Sequence, residues 1–110
     1  MKEIIFHPDQ KYLFDLLKSG EKKVEVRAGG KGYETICVSD ILLLTCISEK
    51  FPLTVQSVKK VEGFESLFDL IPFQEILPTA SKEEDVIRLF ESFPDYRERI
   101  KAHGFVCLYF

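Results

Sequence analysis

The run Gly20-Glu21-Lys22-Lys23-Val24-Glu25-Val26-Arg27 sets a helix stop directly against a strand start. A glycine following Lys18 and Ser19 suits the left-handed residue that ends a helix. From Lys23 to Arg27 charged and apolar residues alternate, which is the period of a half-buried strand with its valines inward. Strand parity places Lys23, Glu25 and Arg27 on the opposite face. Lys22 has the other parity, so it reaches that face only if a turn or bulge after Gly20 redirects it.

Upstream, Lys2 to Phe6 reads as a first strand. His7-Pro8-Asp9 opens a helix, with proline in the first turn and Asp9 at the positive end of the dipole. Leu13, Leu16, Leu17 and either Tyr12 or Phe14 give its apolar stripe. Downstream, the glycine-rich Ala28 to Gly32 is a loop, and Tyr33 to Cys37 a short strand or extended connection. Val38-Ser39-Asp40 is a tight turn. Ile41 to Cys46 is a nearly continuous apolar strand, buried on both faces. Phe51 to Val61 is one long strand, with Ser48 to Lys50 as the turn before it.

After Gly63 the pattern turns helical, with Phe64, Leu67, Phe68 and Ile71 at helical spacing. Pro72 to Pro78 is a short helix or irregular turn. Ser81 and Glu84 have the spacing of a capping box. Val86, Leu89 and Phe90 form the stripe of the next helix, and Phe93-Pro94-Asp95 breaks it. A last helix runs from about Tyr96 to Ala102, and Phe105 to Phe110 is a terminal strand. The order is β-α-β-β-β-α-α-α-β. Strands at both ends favour an α+β domain built on a small mixed β-barrel of about five to six strands with flanking helices, its terminal strands paired or adjacent.

The 110 residues suit one domain spanning 1–110, with 45% hydrophobic and 30% charged residues. No apolar run approaches the ~20 residues that span a bilayer. The first residues lack an apolar signal core, so a cytoplasmic location is expected. Cys37, Cys46 and Cys107 form no C-x-x-C pair, and His7 and His103 lack ligand spacing. No metal and no cofactor is expected. A net charge of −3 argues against a broad duplex-binding surface, so any nucleic-acid role needs a local basic patch or a pocket.

The motif G-x-K-x-x-E-x-R after a short amphipathic helix resembles the signature of the ASCH family, a branch of the PUA-like superfamily. Val38-Ser39-Asp40-Ile41 resembles the family's x-G-D-x turn, with Ser39 in place of glycine. Phe64 to Leu70 resembles its helix after the long hairpin. Phe93 to Phe110 resembles its closing segment, with Tyr96, Gly104 and the apolar strand in place. The resemblance covers nearly the whole chain. It implies a mixed barrel with a polar cleft beside the first helix and a role in binding RNA, a nucleoside or a nucleotide. Some small members resemble amidohydrolases acting on N4-acylated cytidine. In that reading Lys22, Glu25 and Glu75 would be the catalytic positions, but that subset carries threonine where this chain has Glu25.

In the binding reading Lys22 and Arg27 donate to a phosphate or a base carbonyl, and Glu25 accepts from an exocyclic amine. Tyr96 and Tyr33 are candidate stacking surfaces, and Asp40 either caps its turn or touches the ligand. The group Arg97, Arg99, Lys101 is balanced by Asp95 and Glu98 and reads as a solvated helix face. A carboxylate between two cations is a weak proton acceptor at neutral pH, and only Thr35 or Ser39 could replace the missing hydroxyl. Binding therefore ranks above catalysis. A scaffold for a protein partner is the third class.

Overall fold

Hydrophobic periodicity and turn chemistry give six strands and five α-helices in the computed structural model, which describes residues 2–110. β1 (Lys2–Phe6) leads through a 3-10 turn at Pro8–Gln10 into α1 (Lys11–Ser19). Gly20 ends α1 in the left-handed region at φ 84° and donates its N–H to Leu17 O. α1 buries Leu13, Phe14 and Leu17, while Tyr12 stays exposed, so Phe14 completes the stripe. β2 (Val24–Ala28) follows, then a 3-10 turn at Tyr33–Thr35 where an extended segment was expected. β3 (Ile41–Cys46) matches its expected bounds.

The long strand expected from Phe51 to Val61 is two. β4 (Glu49–Thr54) and β5 (Ser57–Val61) are separated by Val55 and Gln56. Val55 is buried, and its N–H and C=O bond to Asp40 O and Ser39 N–H. Gln56 donates to Tyr109 O. The chain thus hands its hydrogen bonds from one sheet to the other at this bend. Alternation of β-branched residues reports extended backbone, and it cannot report a change of partner.

The helices are α2 (Phe64–Leu70), α3 (Phe73–Ile76), α4 (Glu83–Glu91) and α5 (Tyr96–His103), followed by β6 (Phe105–Tyr109). The Ser81–Glu84 capping box does not form. Lys82 occupies the N-cap position with no side-chain cap, and Asp85 instead accepts from the Ser81 N–H at 2.9 Å.

The strands pair as two three-stranded sheets, ordered β1-β3-β4 and β2-β6-β5. β1 runs parallel to β3, and the remaining pairs are antiparallel. The ladders do not join into a closed ring, and the terminal strands do not pair: β1 lies in one sheet and β6 in the centre of the other. The bend between β4 and β5 links the sheets on one side. On the other side the unpaired edges of β1 and β2 lie along a seam. The core lies between the sheets and under the helices, around Phe14, Leu44, Leu67, Phe105 and Leu108. Phe105 packs its ring against Phe64 at 5.0 Å and Phe90 at 5.6 Å, which fastens β6 to α2 and α4.

Positive φ angles recur among the non-glycine residues, at Lys31, Ser39, Ile47 and Asp95, and two backbone positions give direct tests of strain. Gly104 sits at φ 68°, ψ −150°, a region essentially reserved for glycine, and a Cβ there would collide with Val61 O. Gly104→Ala is expected to lower the unfolding free energy by about 3 kcal/mol or more, measured by urea denaturation. Ser39 has φ 75° in an exposed turn, the conformation for which glycine is best suited. Ser39→Gly is therefore expected to raise stability by about 1 kcal/mol, read as a higher melting temperature.

Candidate functional site

Lys22 precedes β2, and its backbone N–H donates to Leu16 O at 3.0 Å. The end of α1 therefore sets its direction, and strand parity does not apply. Its side chain turns inward and is 5% exposed, while Lys23 is exposed. The Lys22 Nζ donates to Val24 O and lies 3.4 Å from Glu25 Oε1. Arg27 Nε donates to Glu25 Oε2 at 2.8 Å and its Nη1 to Ile5 O at 3.3 Å. Glu25 is only 6% exposed. β2 is therefore buried on both faces, which corrects the half-exposed strand expected from its alternation. Its charged face turns into the seam between the sheets.

A cleft of about 320 Å³, partly open to solvent, lies along this seam. Ile5, Phe6 and His7 form one lip, Gln10 of the 3-10 turn and Leu13 of α1 continue it, and Glu25, Val26 and Arg27 form the floor. Leu89, Phe90 and Phe93 of α4 and its end, with Tyr96 and Arg99 of α5, form the facing wall. Tyr96 stacks on Phe90 with centroids 5.9 Å apart. The Arg27 guanidinium lies 4.7 Å from the Phe6 ring centre, and that of Arg99 lies 4.9 Å from Tyr96. Such contacts hold a cation over an aromatic face.

The electrostatics follow from burial. Desolvation lowers the pKa of Lys22, partly opposed by Glu25 beside it. For Arg27 burial works downward, but the negative charge of Glu25 and the neighbouring Tyr96 outweigh it, so its pKa is raised and it stays charged. Burial raises the Tyr96 hydroxyl above its ordinary value, keeping it a neutral donor.

The structure brings together Lys22, Glu25, Arg27 and Tyr96, with Lys22 behind Glu25 and outside the cleft lining. It does not bring in the other candidates. Asp40 accepts from the Cys37 N–H at 2.8 Å and borders a separate depression with Lys2, Ser39, Ile41 and Leu42. Glu75 is exposed on α3 and does not line the cleft, although its charge reaches Lys22. Thr35 donates to Gly32 O and, like Ser39, lies outside the lining. The Tyr33 ring is held beside Lys2 at 4.8 Å and Arg99 at 5.8 Å.

Arg99 corrects the solvated-face reading of α5. It is half-buried and donates through Nε to Gly29 O at 2.9 Å and through Nη2 to Ala28 O at 2.7 Å. Arg97 and Lys101 do point to solvent. The signal was present in the spacing: Arg99 lies three residues after Tyr96 and next to buried Ile100, so it borders the inward face of the helix. Among the described residues no cluster of three or more His, Cys, Asp or Glu could hold a metal ion, and no helix is long and apolar enough to cross a membrane.

Two solved structures share this fold. The crystal structure of hypothetical protein PH0355 has a TM-score of 0.80 over 99% of this chain and 96% of that one, at 24% sequence identity. The solution structure of protein PF0455 from Pyrococcus furiosus has a TM-score of 0.72 over 97% of this chain and 94% of that one, at 20% identity. At these identities the likeness establishes the α+β fold alone. No protein-family model matches the sequence, and no curated protein matches it.

Removing one member of a buried ionic group leaves the others unpaired, which costs about 3–5 kcal/mol. Glu25→Gln should lower stability by that order at neutral pH, measured by denaturant unfolding. Because the folded pKa of Lys22 is depressed, its unfavourable charge is felt as pH falls and relieved as pH rises toward the unfolded value of 10.5. The deficit of the variant should therefore shrink in alkaline buffer.

Proposed function

We propose that the chain is an ASCH-type, PUA-like domain that binds RNA or a nucleotide-like ligand in the cleft between β1 and β2. Two sheets joined by the β4–β5 bend and parted at the β1–β2 seam suit a barrel open on one side. The observation that carries the reading is the cleft whose floor holds Glu25 and Arg27 in a buried ionic group, with Tyr96 in its wall. A volume of about 320 Å³ falls in the small-ligand range. The lining combines apolar surface with a few fixed polar groups, as a base-sized ligand requires. Arg27 supplies the Nη2 donor left over from its bonds to Glu25 and Ile5 O, Glu25 the remaining lone pairs of its carboxylate, and Tyr96 and Phe6 aromatic surface. Lys22 supports from behind, holding Glu25 in place rather than meeting the ligand.

Binding is favoured over an amidohydrolase by the chemistry of the walls. None of the described residues lining the cleft is Ser, Thr or Cys, and the hydroxyl that does face it, on Tyr96, is kept protonated by burial. Glu75, the third position of the catalytic reading, lies outside.

Fluorescence anisotropy with single-stranded RNA, together with calorimetry on ribonucleosides, tests the reading. RNA affinity should fall with salt, with a log–log slope of about −0.7 per phosphate contact. Tyr96→Leu should weaken binding roughly tenfold through loss of stacking, with folding checked by thermal melting. Absence of both salt-sensitive RNA affinity and nucleoside binding would sink the proposal. Turnover of N4-acylated cytidine would replace it with the amidohydrolase.

A further inference from the structure

Two arginines of the cleft are fixed by acceptors of the fold, and each keeps one terminal nitrogen free. Arg27 uses Nε on Glu25 and Nη1 on Ile5 O, which leaves Nη2 with no hydrogen bond to the described residues. Arg99 uses Nε on Gly29 O and Nη2 on Ala28 O, which leaves Nη1. No buried side-chain nitrogen or oxygen among the described residues lacks a partner, so the two free nitrogens are accessible. Both residues line the cleft. Arg99 is anchored on the carbonyl of Ala28, the residue after Arg27, so the two side chains enter the cleft from neighbouring positions of its wall.

The cations there outnumber the carboxylates: Arg27, Arg99 and Lys31 face Glu25 and Asp95, with Lys22 behind Glu25. Both oxygens of Glu25 are engaged, one by Lys22 and one by Arg27. Asp95 is exposed at the lip, and Lys31 lines the cleft as a third cation. Guanidinium groups already held by the fold lose little freedom when they bind an oxyanion. A phosphate monoester carries about −1.5 to −2 charge at pH 7 and three terminal oxygens, enough to meet the free nitrogen of each arginine at once. A diester within a strand offers one charge and only two unesterified oxygens.

We propose that Arg27 and Arg99 form a pincer for a phosphate monoester, so that the cleft prefers a nucleoside monophosphate, or the phosphorylated end of an RNA chain, to an unphosphorylated nucleoside. The preference for a nucleoside carrier rests on the function proposed above, whereas the pincer rests on the two arginines alone.

Calorimetry with the four ribonucleosides, their 5′- and 3′-monophosphates and inorganic phosphate tests it, alongside a short RNA bearing either a 5′-phosphate or a 5′-hydroxyl. At least one monophosphate should bind roughly tenfold tighter than its nucleoside. Arg99→Gln should erase that preference, and Arg99→Lys should retain part of it. Should these variants fail to fold, the wild-type comparison decides. Tighter binding of the phosphorylated RNA than of any mononucleotide identifies an RNA end as the source, and the reverse identifies a free mononucleotide; both support the pincer. Equal affinity for nucleosides and monophosphates overturns the pincer and leaves the nucleotide cleft standing. Inorganic phosphate bound without any nucleotide or RNA supports the pincer and overturns the nucleotide cleft. No binding of any probe overturns both.

Discussion

The outer edge of β2 has no neighbouring strand, yet it is buried along the seam between the two sheets. A buried carbonyl without a partner costs about 1–3 kcal/mol, so side chains must supply what a strand would. Lys22 serves Val24 O, and Arg99 serves Ala28 O and Gly29 O. Arg27 crosses the seam to Ile5 O on the facing edge. The cations that close the edge are therefore the groups that give the seam its chemistry. Closing the barrel with another ladder would have satisfied the backbone and left no cleft.

Charge brought into such a place must be balanced. Glu25 sits between Lys22 and Arg27, and without it two cations would be held against apolar walls. The ionic group is costly to assemble, because its members must be stripped of water. It persists because β2, pinned through β6 to the aromatic layer of Phe64, Phe90 and Phe105, leaves those side chains no route to solvent. The same layer holds the Tyr96 ring against the cleft. Site and core thus share walls, and Phe90 belongs to both.

Much of this was legible from local pattern. The bounds of β1 and β3, the stop of α1 at Gly20 and the helical stripes depend on residues close in sequence, and they appear where the periodicity puts them. The inward turn of Lys22 was legible only through resemblance to a family motif, because the end of α1 overrides strand parity there. Arg99 was misread because its neighbours Asp95 and Glu98 suggested a balanced surface, whereas its partners lie about seventy residues away at Ala28 and Gly29. The capping box failed for a local reason: Asp85 competes for the same backbone donor and takes the Ser81 N–H.

Sequence alone determined the α+β class, most of the succession of helices and strands, and the presence of an alternating charged strand beside a helix stop. Those properties follow from short-range sterics and from the period of apolar residues. Tertiary structure decided which face of β2 is buried, where the Phe51 to Val61 segment changes sheet, and which cations meet. Each of these depends on the partner found across the fold. Period two distinguishes the faces of a strand, and only packing determines whether the polar face meets water or an enclosed seam.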